Sequence, residues 1–131
     1  MSRRPTKSHV EYWVQSARHD LDVAETLFQA KKYDWCLFIS HLVLEKVLNA
    51  LYAKTTDELP PRMHDLVRLA DLAGIKLDDD SLEFLDGVNS FNISVRYPDE
   101  KLKFHQTCTH EFTKITFSRI KEIYQWLLRQ I

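Results

Sequence analysis

A chain of 131 residues, 44% of them apolar, has enough material for one domain with a real core and does not read as a disordered chain. Charged residues make up 28%, yet their signs nearly cancel to a formal net charge of −1, which argues against coating nucleic acid through bulk charge and leaves only a local basic site open. The two glycines, Gly74 and Gly87, exclude a glycine-rich phosphate loop, a dinucleotide fingerprint and a nucleophile elbow, so any phosphate has to be held by side chains or helix ends.

Helical patterning starts at about Ser8 and runs to Ala30. Trp13, Ala17, Leu21, Ala24 and Phe28 recur at spacings of four and three and form one apolar face. "KKYD" (Lys31 to Asp34) reads as a short connection, with Asp34 as N-cap of the second helix. That helix, about Trp35 to Lys54, is apolar almost all round, which marks a central element. It nevertheless carries a polar stripe of His41, Glu45 and Asn49, with Lys46 beside it. Buried polar groups need partners, so the stripe has to face a partner, a cavity or water.

"TTDELPPR" (Thr55 to Arg62) reads as a loop because two prolines stop helix propagation. A short helix follows from about Met63 to Ala73, ended by Gly74. "DDDS" (Asp78 to Ser81) opens the next helix, its acids suiting the macrodipole and Ser81 or Asp80 suiting the cap. Leu82, Leu85, Val88 and Phe91 point it inward, and it ends before Pro98. The last helix is expected from roughly Gln106 to Ile131, with Phe112, Ile115, Ile120, Ile123, Tyr124 and Leu127 as a broad apolar face.

No segment alternates with period two. The expected fold is all-α: a single domain over residues 1–131, an up-and-down antiparallel bundle of four main helices plus a short one. Two cysteines, Cys36 and Cys108, are too few for a disulfide scaffold, and Cys36 sits in an apolar run that suits the core. The opening "MSRRPTKSHVEYW" has no apolar h-region, and no run approaches the roughly 20 apolar residues of a membrane span. The expectation is a soluble cytoplasmic protein without membrane association.

Four groups of residues carry chemistry. At the corner "RYPDE", Arg96 offers a bidentate cationic fork suited to phosphate and Tyr97 a ring that can stack on a base. Asn89 and Asn92 lie upstream and can read polar groups. The bland alternative is that Pro98 ends the helix, Tyr97 packs, and Arg96 pairs with Asp99 or Glu45. The stripe of His41, Glu45 and Asn49 with Lys46 either lines a groove with that corner or is a satisfied seam that sets register. In "MHDLVRL", His64 and Asp65 open a helix, where an acid is favoured whatever the function. In "HQTCTH", His105 and Cys108 share helical spacing, but no second pair with ligand spacing exists, so no metal site is expected.

The order of "ARHDLDVAETLF", "YDWCLFISHLVLEKVLNALY", a proline loop, "HDLVRL" and "RYPDE" resembles the HEPN family of small helical bundles, over roughly Tyr12 to Tyr124. The resemblance implies an up-and-down bundle that forms a homodimer through long helices, with nucleotide or RNA as its general ligand and no cofactor. It implies partnership with a minimal nucleotidyltransferase, as a toxin–antitoxin or substrate-binding component. Other members are metal-independent ribonucleases, with an Arg followed four to six residues later by a His in a composite site across the dimer. Arg96 is present, but Tyr97 replaces the polar residue that often follows the Arg, and the next histidine, His105, is nine positions on with Pro98 between.

The leading expectation is therefore a nucleotide- or RNA-binding module using Arg96, Tyr97, His41, Glu45, Lys46, Asn89 and Asn92. The alternative is a ribonuclease toxin with Arg96 stabilising the phosphorane and His105 as acid–base. A purely structural helical dimer is the third.

Overall fold

The first long helix, α1 (Lys7–Gln29), is turned back by a lysine in a left-handed conformation, Lys31 at φ 62°. The amides of Lys31 and Lys32 reach back to the carbonyls of Phe28 and Leu27, closing the last turn in the way a glycine usually does. The helix that follows, α2 (Tyr33–Thr56), therefore lies antiparallel against α1. The computed structural model describes residues 7–131, and there the chain continues through α3 (Leu66–Leu72), α4 (Asp79–Ser94), α5 (Pro98–Thr107) and α6 (His110–Arg129). The expected all-α bundle of four long helices is present, with no strand among the described residues.

Helix α2 is the axis of the domain and packs on each of the other five helices. Leu37, Val43, Leu44, Val47, Leu48 and Leu51 are fully or almost fully buried on it. By length and hydropathy alone α2 is long and apolar enough to cross a membrane, as a core helix can be, and two-thirds of its apolar window is buried inside the bundle. Its two ends are tied to α6: Tyr33 shares a hydrogen bond with His110 at 2.9 Å, and the Lys54 ammonium donates to the carbonyl of Ile131. Helix α6 thus runs parallel to α2, while α4 runs the other way, with Asp80 near its start reaching Arg119 in mid-α6.

The structure corrects several local expectations. Helix α2 begins at Tyr33, so Asp34 lies inside its first turn and accepts from the Trp35 amide instead of capping the helix. The cap of α4 is Asp78, whose carboxylate accepts from the Ser81 amide; neither Asp80 nor Ser81 does this. Helix α3 starts three residues later than expected, because Asp65 caps it through the amides of Val67 and Arg68. It ends on Gly74 at φ 72°, where Ile75 N–H bonds the carbonyl of Ala70.

The largest difference is α5, which occupies a stretch where the sequence predicts only a corner. Pro98 stops α4 from continuing, but it occupies the first turn of a new helix, where its missing N–H costs nothing and its fixed φ is already helical. Asp99 and Glu100 in that turn favour the same start. The last helix, expected from about Gln106, accordingly begins at His110, after a break at Cys108 and Thr109, with the Thr109 hydroxyl capping α6.

Candidate functional site

The corner between α4 and α5 is a solvent-facing feature. Val95 closes α4, Tyr97 caps α5, and Arg96 between them is exposed. Among the described residues Arg96 makes no ion pair, so the pairing with Asp99 or Glu45 weighed from sequence does not occur. Tyr97 is 59% exposed and does not pack into the core. A permanent cation with an unused fork beside an exposed phenol ring is chemically free to engage a phosphate and a flat ring.

The corner stands at one end of an apolar groove of about 670 Å³ between α4, α5 and α6. Ser94 and Glu100, on either side of the corner, both line it. Its walls are Phe84, Val88 and Phe91 from α4, Phe104 from α5, and Phe112 and Ile115 from α6. Gly87 opens the floor, since a Cβ there would meet nothing within 4 Å. The hydroxyls of Ser90 and Ser94 bond back to the carbonyls of Gly87 and Ser90, so they add no free donors to the groove. The rim carries both signs: Glu83 and Glu100, Lys103 and Arg119, the last bonded to Asp80 at 2.6 Å and seated over the Phe84 ring.

The other expected site residues are elsewhere. Lys101 of α5 sits over the Trp35 ring, which places the corner at the N-terminal end of α2. Glu45 lies ten residues further along α2, roughly 15 Å down the axis. Lys46 faces α1, where its ammonium donates to Asp20 at 2.6 Å and to Ser16 at 2.8 Å. Asn92 is 7% exposed in the core between α4 and its neighbours. Asn89 accepts from the Leu66 amide and donates to Asp65, which makes it a second cap on α3. Arg96 and Tyr97 thus stand next to each other beside the groove, which their neighbours Ser94 and Glu100 line, and apart from His41, Glu45, Lys46 and the two asparagines.

The stripe on α2 instead meets the approach to α3. The His41 ring is fully buried, and its Nε2–H donates to the carbonyl of His64 at 2.9 Å. The His64 ring donates from Nδ1 to Glu45 at 2.7 Å. His41 Nδ1 is enclosed without a partner. Burial holds the His41 pKa below its ordinary value of 6.5, more strongly than the nearby Glu45 carboxylate and the His64 carbonyl raise it.

A consequence follows for pH. Above about pH 6.5 His41 is neutral folded and unfolded, and its buried state costs nothing in protons. Below that, the unfolded chain binds a proton that the folded ring refuses, so stability falls until the depressed folded pKa is passed. The slope is at most ~1.4 kcal/mol per pH unit. Urea melts at pH 7.5 and 5.5 should show the loss, and His41→Gln, which keeps a donor but does not titrate, should shrink it. An equal loss in both proteins would assign the drop to other groups.

His105 is 71% exposed on its side chain, and its Nδ1 lies 3.3 Å from the Asp34 carboxylate. It stands seven residues beyond Pro98, about two turns or roughly 10 Å along α5. His110 is taken by Tyr33, and Cys108 is buried, so His105, Cys108 and His110 turn to different partners. No group of three such side chains gathers to hold a metal among the described residues. Burial pushes the thiols of both Cys36 and Cys108 up to about 12, which leaves them poor nucleophiles and poor ligands.

Sequence reasoning did not find the His64–Glu45 pair, the Asp34–His105 pair, or a cavity in which Trp13 of α1 meets the proline loop. None has a local signal, since each joins residues from different parts of the chain.

The model of the family described as HEPN domain matches residues 10–131. No curated protein matches the chain. The fold is similar to the crystal structure of TT1696 from Thermus thermophilus, at a TM-score of 0.78 and 20% identity, over 93% of this chain and 98% of that one.

Proposed function

Because the chain belongs to the HEPN domain family, we propose that it is a nucleotide- or RNA-binding module that works as a homodimer beside a minimal nucleotidyltransferase. The observation that carries this reading is the unpaired Arg96 with exposed Tyr97 at the mouth of an apolar groove. Arg96 follows the C-terminus of α4, where a cation is favoured, and holds the phosphate; Tyr97 takes the base or sugar. Two copies joined along the groove bring two such corners to one cleft. The partnership with a nucleotidyltransferase rests on the family's habits and on the "RYPD" form of the corner, which resembles the family branch described as nucleotidyltransferase substrate-binding partners. The setting is the cytoplasm.

A second reading has its own observation. His105 is exposed and oriented by the Asp34 carboxylate, as an acid–base histidine in a metal-independent ribonuclease is. Against it stands the separation of about two helical turns from the corner.

The test is RNA binding and RNA cleavage in the presence of chelator, for wild type, Arg96→Ala and His105→Ala. Binding without cleavage, weakened roughly tenfold to a hundredfold in Arg96→Ala alone, is the expected result, as one charge-assisted contact contributes about 1.5–3 kcal/mol. Cleavage lost in both variants would replace the binding module with the ribonuclease. No binding and no cleavage would leave a structural dimer.

A further inference from the structure

A separate cavity of about 470 Å³ lies beside the second half of α2, between α1, α2 and the loop of Pro60 and Pro61. Glu45 and Asn49 line it from α2, one turn apart, so their side chains lie on one face. Asn49 is 6% exposed, and its Oδ1 is enclosed with no hydrogen-bond partner. An orphaned acceptor of this kind costs about 1–3 kcal/mol, and a bound donor relieves it. Glu45 Oε1 accepts from His64, while Oε2 takes no hydrogen bond among the described residues. Two unused acceptors side by side match the two hydrogens of one amino group.

The remaining lining sets what that amino group is attached to. Trp13, Met63 and the two prolines present flat and apolar surface, which suits a ring. Arg62 also lines the cavity, is exposed, and has no ion pair or hydrogen bond among the described residues. Its charge disfavours an ammonium ligand and favours an anionic group on the outer side. We propose that this cavity is a second ligand site, for a flat amino-substituted heterocycle carrying an anionic group. The amine enters toward Asn49 and Glu45, the ring lies among Trp13, Met63 and the prolines, and the anion meets Arg62. This does not rest on the Arg96 corner, and the two sites fail separately.

The experiment is calorimetric titration of the full chain with AMP, with adenosine, and with purine riboside 5′-monophosphate, which lacks the amine. AMP is expected to bind, with the amine-free nucleotide about tenfold to a hundredfold weaker because Asn49 Oδ1 stays orphaned. Adenosine is expected to bind about tenfold more weakly than AMP. Arg62→Ala should erase the difference between AMP and adenosine, Asn49→Leu the difference between AMP and the amine-free nucleotide, and Arg96→Ala should change neither. Because Arg62 stands in a loop and holds no partner among the described residues, its removal tests the site even if Asn49→Leu unfolds the bundle. No binding of AMP, equal affinity for the amine-free nucleotide, or loss of AMP with Arg96→Ala in place of Arg62→Ala overturns the proposal.

Discussion

In the proposed dimer, replacing Ile115 with glutamate is expected to separate the two copies without changing the fold of either. Ile115 is 62% exposed on α6 and stands in the wall of the groove between α4, α5 and α6. In an isologous dimer each substitution acts twice. Fully burying an isoleucine contributes about 1.5–3 kcal/mol, so two copies lose about 3–6 kcal/mol before the cost of burying two carboxylates is added. The dissociation constant should rise more than about a hundredfold. Sedimentation velocity over a concentration series reads this directly. The thermal midpoint at a concentration where wild type is already monomeric should stay within the small range of surface substitutions. A wild type that sediments as a monomer at all concentrations would sink the dimer, and with it the idea that two Arg96 corners share a cleft.

Two residues further along the same helix the expectation reverses. Phe117 is 2% exposed, its ring 5.8 Å from that of Phe28 on α1, with the Lys121 ammonium above its face. Phe117→Ala removes the packing between α6 and the α1–α2 pair and leaves a cavity. Such a truncation costs about 3–5 kcal/mol, a large share of the ~5–15 kcal/mol that holds a domain together. Urea denaturation should show the midpoint falling with an unchanged slope. A loss below about 1 kcal/mol would mean that α6 is not docked on this ring. The pair of substitutions separates the two apolar faces of α6, one spent on the core and one still available.

That division explains what could be read from the sequence. The broad apolar face from Phe112 to Leu127 was legible as hydrophobic, but not that Ile120, Tyr124 and Leu127 go into the core while Ile115 stays outside it. Periodicity says that a face is apolar; only the neighbouring helices say what covers it. The central position of α2 was legible because it is apolar all round, and its polar stripe because His41, Glu45 and Asn49 repeat every four residues. The stripe's partners were not, since His64 approaches from a loop whose path depends on how Asp65 and Asn89 cap α3. Pro98 misled for a physical reason: the same ring that forbids a helix from passing through it favours a helix that begins on it. Of the candidate site, Arg96 and Tyr97 could be named from chemistry alone. That Arg96 has no carboxylate partner among the described residues, and that Lys46 is held by Asp20, needed the three-dimensional arrangement.

Helix α5 has one more consequence, for motion. Of its ten residues only Phe104 is buried, against the Phe91 ring at 5.2 Å. Its other ties, Lys101 over Trp35 and His105 near Asp34, are exposed contacts that contribute little each. A short helix held by one ring is a low-stability unit that opens far below the free energy needed to unfold α2, whose amides are released only when the whole domain melts. The corner that presents Arg96 and Tyr97 is therefore mounted between a rigid post and a loose strut. Whatever docks there meets an adjustable jaw, and fixing that jaw in one position is a share of the work that binding has to do.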